Sequence, residues 1–451
     1  MPQFELRQSS QLLTSRAGLV LVGRALERFA GLTRAIDPRF PVRTGIPTSD
    51  LLKSYVGLLC ESKSDFDAIE SKRADRAFAL ALKLRQVPSS PTLRQRLDDL
   101  GVAGATAVDA LTVPLLQRGK APITALDTGH VALDLDVFTL DNSGTRKEGV
   151  ARTYQGYDGY APIAAYLGQE GWCVGLELRA GDRHSAHETQ YTFERVIPAA
   201  AALTQRPLLL RMDSGFDSEK LYTQALDCAA EAGAKLDLLG KWNPRSTPVE
   251  AIAHAKCADR ATAWTALRPG KRETVWVEAG RTLTLADGTR RTLRRVLRLT
   301  ERRTDRDGQA YLFPKFELDG WETTLELAPE QIIALYADHG THEQFHSEFK
   351  SDLDLERLPS GKFDTNYLVL SLAALAYNVL RLIGQHTLLG DDAPLRHPAK
   401  RRRLKTVIQE LITVAARVLT HARRIVLDFG AHCPAFTAFN RTWMAWQEAP
   451  S

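Results

Sequence analysis

Pro207-Leu208-Leu209-Leu210-Arg211-Met212-Asp213-Ser214-Gly215-Phe216-Asp217 is the stretch on which the fold turns. A short apolar run reads as a buried strand. The chain then presents a carboxylate at Asp213, breaks at Gly215 and opens a helix at Ser218-Glu219. Open α/β sheets mount reactive groups at strand tips in this way. The plainer reading, an aspartate that only caps a strand-to-helix turn, fits the segment equally well, so the neighbouring segments have to decide.

Upstream, Val131-Ala132-Leu133-Asp134-Leu135-Asp136-Val137-Phe138 alternates, which puts Asp134 and Asp136 on one face of a strand. A turn at Asp141-Asn142-Ser143-Gly144 and strands over 159–167 and 171–178 follow, then a helix over 187–202 leading into the Asp213 strand. A helix over 218–232 and a strand over 235–240 come next. Strands in succession that run on into strand–helix units predict a mixed-sheet α/β domain.

Residues 1 to about 120 read as all-helical instead, with apolar helix periods over Leu19–Ala35 and Thr48–Leu59. Pro88-Ser89-Ser90-Pro91 caps a further helix carrying Arg94 and Arg96, a DNA-contact candidate or an ordinary basic surface. Over 245–325 three Asp-Gly pairs (Asp287-Gly288, Asp307-Gly308, Asp319-Gly320) punctuate alternating runs and predict hairpins. The arginines crowded there include Arg294, Arg295 and Arg298, on a solvated β-face or a phosphate-gripping one. Trp321 beside them is either core or a stacking platform for a base.

Pro329 opens a helix through Lys350, on which Tyr336, Glu343 and Lys350 are spaced by seven and so share a face. The apolar run Tyr367–Ile383, interrupted by Asn378 and Arg381, reads as a core helix rather than a bilayer span. A basic linker (Arg396, Lys400, Arg401, Arg402, Arg403, Lys405) precedes a last helix expected over Thr406–Leu427. The divisions expected are therefore 1–120, 121–244, 245–325, 326–390 and 391–451.

With 451 residues the chain has room for several domains, and 44% hydrophobic with 25% charged residues is ordinary for a globular protein. The net charge of +5 permits a polyanionic partner without requiring one. Five scattered cysteines with no Cys-x-x-Cys pair fit reduced thiols in a cytoplasmic protein. The first residues carry no secretion-signal pattern, and no membrane association is expected.

Acids at neighbouring strand tips, completed by one from a helix, suit magnesium, which prefers oxygen ligands and borrows few from protein. Two such ions serve in-line displacement at phosphorus. Asp136, Asp213 and Glu343 are the candidates, with Asp134 an alternate ligand. A rival lies on the same helix, where His342-Glu343-Gln344-Phe345-His346 is a literal His-Glu-x-x-His, the pattern of a zinc metallopeptidase. That reading leaves Asp136 and Asp213 without a role. His184 and His187 read as loop histidines.

These motifs resemble bacterial insertion-sequence transposases with an RNase H-like DDE domain, in the cut-and-paste group that carries a β insertion. The resemblance rests on Leu133-Asp134-Leu135-Asp136, Asp141-Asn142-Ser143-Gly144-Thr145, Tyr154 to Pro162, Arg211-Met212-Asp213-Ser214-Gly215-Phe216, Tyr336 to Lys350, and Asp354-Leu355-Glu356-Arg357-Leu358-Pro359-Ser360-Gly361. It implies an RNase H-like mixed sheet interrupted by an antiparallel β insertion, between an N-terminal all-α region that reads DNA ends and C-terminal helices.

It implies also two Mg2+ ions (Mn2+ able to substitute) on Asp136, Asp213 and Glu343, with strand cleavage followed by attack of the freed 3′-hydroxyl. The partners implied are double-stranded DNA, both terminal inverted repeats and target, and a second copy of the chain in a homodimer; the setting implied is the bacterial nucleoid. Related enzymes carry Tyr, Arg, Glu and Lys at set spacings. Tyr336, Glu343 and Lys350 match, for phosphate positioning, but His339 stands where the arginine is expected, and an imidazole grips phosphate less well. A catalytically inactive, DNA-binding descendant is a further alternative.

Overall fold

The computed structural model describes residues 3–245, 247–422 and 424–448. The N-terminal region is helical as expected, but the run from Leu19 breaks at Gly31, whose φ of 67° no helix accommodates. Helix α1 (Thr48–Leu59) follows, then α2 (Ser90–Asp109), capped by the Ser89 side chain and twelve residues longer than the expected segment's end at Leu97.

Nine strands form one sheet. In chain order they are β1 (Val131–Val137), β2 (Ile163–Leu167), β3 (Trp172–Glu177), β4 (Leu208–Met212), β5 (Leu236–Trp242), β6 (Thr265–Arg268), β7 (Lys271–Thr284), β8 (Arg290–Thr304) and β9 (Ala310–Thr323). Their spatial order is β6-β7-β8-β9-β5-β4-β1-β2-β3. β1, β4 and β5 run parallel, joined through α3 (Thr189–Leu203) and α4 (Glu219–Glu231), while β2 and β3 return antiparallel. This is the mixed sheet expected from the alternation of strands and helices.

The basic β segment is continuous with that sheet. β9 pairs with β5, so β7, β8 and β9 widen the core sheet. Asp287-Gly288 and Asp307-Gly308 make the expected turns. Asp319-Gly320 does not: it lies inside β9, opposite Leu297 and Arg298. Asp319 accepts from Lys241 and Arg298 there, and a Cβ on Gly320 would lie 2.4 Å from the Trp242 ring. The glycine serves a close approach, not a turn.

Helix α5 (Pro329–Ala337) gives way to a tight 3-10 turn, Asp338–Thr341, and then to α6 (His342–Ser347). The core helix α7 (Phe363–Thr387) packs on α2 and β3, and 94% of its most apolar window is buried. Its polar interruptions have partners. Asn378 accepts from the Cys173 N–H (3.0 Å) and donates to the Cys173 carbonyl (2.7 Å), closing the edge of β3. Arg381 is buried against Glu348 and donates to the Arg402 carbonyl at 2.7 Å.

The helix expected over Thr406–Leu427 is not formed. After a helical stretch ending at Ile412 the chain makes a hairpin, β10 (Ala416–His421) and β11 (Arg424–Phe429), to which Leu13–Thr14 adds a third strand. The alternating, β-branched Val418-Leu419-Thr420 and Ile425-Val426 explain this. Helix α8 (Phe436–Glu448) ends the described chain. Nor is the basic linker a free patch. Arg402 donates to the carbonyls of Leu388, Leu395 and His397, Arg403 grips Asp352 and Arg401 reaches Gln169.

Removing one member of a buried ion pair strands the other charge at a cost of about 3–5 kcal/mol, whereas replacing both with apolar groups is near neutral. Arg381→Met is therefore expected to lower the unfolding free energy by that amount in urea titration. Arg381→Met combined with Glu348→Leu is expected to recover most of it.

Candidate active site

The site is built on the parallel register of β1 and β4, which pairs Asp134 with Arg211 and Leu135 with Met212. Side chains two residues further along leave on the same face, so Asp136 and Asp213 follow one pleat later, side by side. Arg211 holds both oxygens of Asp134, at 2.6 and 2.8 Å, and donates to the Leu335 carbonyl at 2.6 Å. His339 meets Asp134 Oδ1 at 3.1 Å. Burial alone would raise the Asp134 carboxyl, but the charges of Arg211 and His339 hold it well below the usual range. With both oxygens engaged, Asp134 is a structural anchor, and the expectation of an alternate metal ligand is corrected.

Asp136, its side chain 14% exposed, accepts from the Val137 N–H at 2.8 Å. Its Oδ2 faces His342 Nε2 at 2.5 Å and His346 Nδ1 at 3.9 Å. Burial opposes the charged form, yet His342 and its neighbours bring the Asp136 carboxyl below its ordinary value. Asp213 caps the strand-to-helix turn, the plainer of the two roles expected for it. Its Oδ1 caps Gly215 N–H at 2.9 Å, while burial and then the negative charge of Asp136 raise its carboxyl. Two carboxylates in one field, incompletely compensated by protein cations, are the electrostatic setting a divalent cation relieves.

Glu343 does not join them. It is exposed, and among the described residues it makes no hydrogen bond or ion pair. The cause is the tight turn between Tyr336 and Glu343. Seven α-helical residues return to the same face, but four residues at three per turn add about 80° of rotation. His342 and His346, one turn apart on α6, face Asp136 instead, and the three side chains offer donor atoms all within 4.8 Å of one another. The His-Glu-x-x-His pattern thus gathers around an acid, but that acid comes from β1.

Most expected phosphate contacts are already engaged. His339 is 2% exposed and bonded to Asp134, which corrects its reading as a phosphate contact. Trp321 is 2% exposed, with Lys241 4.3 Å from its ring centre, so it is core and not a stacking platform. Tyr336 packs between Trp321 and His339. Arg294 donates to the Leu325 and Leu327 carbonyls, Arg295 bonds Glu322, and Arg298 bonds Asp319. Arg96 holds the Ile46 carbonyl and Thr48. Arg94 is half exposed beside Asp67, and Lys350 lies 3.8 Å from Glu356.

Tyr154 belongs to the site although no spacing rule singled it out. Its ring is exposed, its hydroxyl donates to the Val137 carbonyl at 3.3 Å, and burial with the charges of Asp136 and Asp213 pushes it up to about 12.

A family model described as "Transposase DDE domain group 1" matches residues 2–451. The chain belongs to this family. It is a DNA transposase, an enzyme that cuts and joins DNA strands with the help of divalent metal ions. No curated protein matches the chain. Six chains of solved structures do. One is in a cryo-EM structure of the piggyBac transposase synaptic complex with hairpin DNA, at 12% identity and a TM-score of 0.42, covering 98% of this transposase and 85% of that chain. A likeness of that degree carries no argument about chemistry. Nothing supports a peptidase.

Asp134 gives a pH test. A carboxyl depressed in the folded state contributes stability that is full above the unfolded aspartate value of about 3.9 and is lost as pH falls below it. Asp134→Asn is expected to lower unfolding free energy most at neutral pH, with the gap to wild type narrowing below about pH 4. Denaturant unfolding at a series of pH values checks it.

Proposed function

We propose that Asp136 and Asp213 hold the divalent ions of this transposase over the scissile phosphodiester, and that Glu343 completes the set when DNA is bound. The observation that carries this reading is the parallel register of β1 and β4, which brings Asp213, just past the end of β4, beside Asp136, with the Asp213 carboxyl raised by burial and then by the Asp136 charge. The ions, when bound, would sharpen the attacking oxygen and offset charge at phosphorus. Mg2+ suits the oxygen donors of Asp213 and Glu343, with Mn2+ able to substitute.

The chain's own groups divide the remaining work. Asp136 and Asp213 fix the ions at the tips of rigid strands. Rewinding the Asp338–Thr341 turn into α-helix would rotate Glu343 toward the aspartates, since tight turns inside helices commonly mark hinges. Lys350, with only a loose intramolecular partner, reaches for a phosphate oxygen, and the Tyr154 hydroxyl stays protonated at neutral pH and can donate to one. The N-terminal helices, through Arg94, contact the element's terminal repeats, and two copies of the chain pair two ends. Arg294, Arg295 and Arg298 of β8 take no part in this role because they already bind carboxylates and carbonyls.

Double-stranded DNA carrying the terminal repeats, incubated with Mg2+ or Mn2+, is expected to be cut by the wild type. Asp136→Asn, Asp213→Asn and Glu343→Gln are each expected to lower cleavage by more than about a hundredfold, the scale of losing one preorganised electrostatic contributor. Normal cutting by Asp213→Asn, or wild-type binding with no cleavage in either metal, contradicts the assignment.

A further inference from the structure

Asp136 Oδ2 faces two imidazole nitrogens, Nε2 of His342 and Nδ1 of His346. The Nδ1 of His342 is bonded to the His339 carbonyl, which can only accept. Nδ1 therefore carries the hydrogen, as metal-binding imidazoles are typically oriented by a carbonyl on their far nitrogen. The other nitrogen, Nε2, faces Asp136 Oδ2 at 2.5 Å, the position in which either a proton or a metal ion is shared between them.

His346 supplies a second, independent observation. Its ring is stacked on Phe138 at 4.4 Å and only 9% of its side chain is exposed. Its Nδ1 points to the same Asp136 oxygen, and its Nε2 is buried with no partner among the described residues. A buried imidazole with this little compensation is costly as a structural group. A cation placed against Asp136 would be held by Nδ1, the nitrogen that faces it, while Nε2 keeps the hydrogen. Ligand atoms about 3 to 3.5 Å apart fit metal–nitrogen distances near 2.1 Å, and the 4.8 Å span of the three donors lies within a small adjustment of that.

We propose that Asp136, His342 and His346 form a mixed nitrogen–oxygen site for one divalent transition-metal ion, so that this position takes Mn2+, Co2+ or Zn2+ in preference to Mg2+. The inference rests on the reading of Asp136 as a metal ligand and adds two nitrogen donors to it. Imidazole suits these ions, whereas Mg2+ keeps to oxygen.

The test uses full-length protein and Mn2+ alone. Electron spin-echo modulation of the bound Mn2+ is expected to show coupling to 14N, which converts to 15N coupling when the protein is labelled at histidine with 15N. That comparison needs no substitution and so no assumption about folding. His342→Gln combined with His346→Gln is expected to lose the coupling and to weaken Mn2+ binding by at least about tenfold in calorimetry. The Mg2+ affinity is expected to change by less than about twofold.

Bound Mn2+ with no nitrogen coupling in the wild type overturns the inference. So does coupling that survives the double substitution. If Asp136→Asn still abolishes Mg2+-dependent cleavage while no nitrogen coupling is seen, the histidine ligands are refuted and the catalytic reading of Asp136 stands.

Discussion

The bidentate pair between Arg211 and Asp134 is the interaction from which the active site takes its shape. It lies buried within the sheet, across the parallel seam of β1 and β4. One pleat further on, the same register delivers Asp136 and Asp213 side by side. The pair also anchors the third element of the site, because Arg211 holds the Leu335 carbonyl and Asp134 holds His339. A slip of one residue between the strands would send one acid to the opposite face from the other. The buried pair makes such a slip expensive.

The same reasoning explains the His339 position. A buried imidazole bonded to a carboxylate already paired with arginine locks the helix to the sheet. Sequence spacing puts Tyr336, Glu343 and Lys350 on one face only if the helix is uniform. The turn at Asp338–Thr341 spends that phase, so two histidines meet Asp136 in the state described while Glu343 stands in solvent. The winding of these four residues decides which side chains of the helix face Asp136.

Much of the fold was legible before any coordinates. Alternation around Asp134 and Asp136, the break after Asp213 and the turns at Gly288 and Gly308 are local signals, and local signals survive folding. What could not be read depends on partners distant in sequence. Asp319-Gly320 has the composition of a turn, but Lys241, Trp242 and Arg298 make it a strand. The hairpin after Ala416 reads as helix in the sequence because an apolar period over a few β-branched residues suits both. The arginines of β8 looked free because Asp319, Glu322 and the Leu325 carbonyl lie on another strand or beyond it. Of the site, the two aspartates were visible as strand-end acids, whereas the approach of His342 and His346 to Asp136 follows from a turn no composition rule predicts.

Metal binding at this site requires that Asp136 and Asp213 address one and the same place. Anomalous diffraction from crystals of the full-length protein grown with Mn2+ measures this directly. The account predicts a manganese peak within coordination distance of both carboxylates. Manganese bound only at sites remote from either aspartate would contradict it.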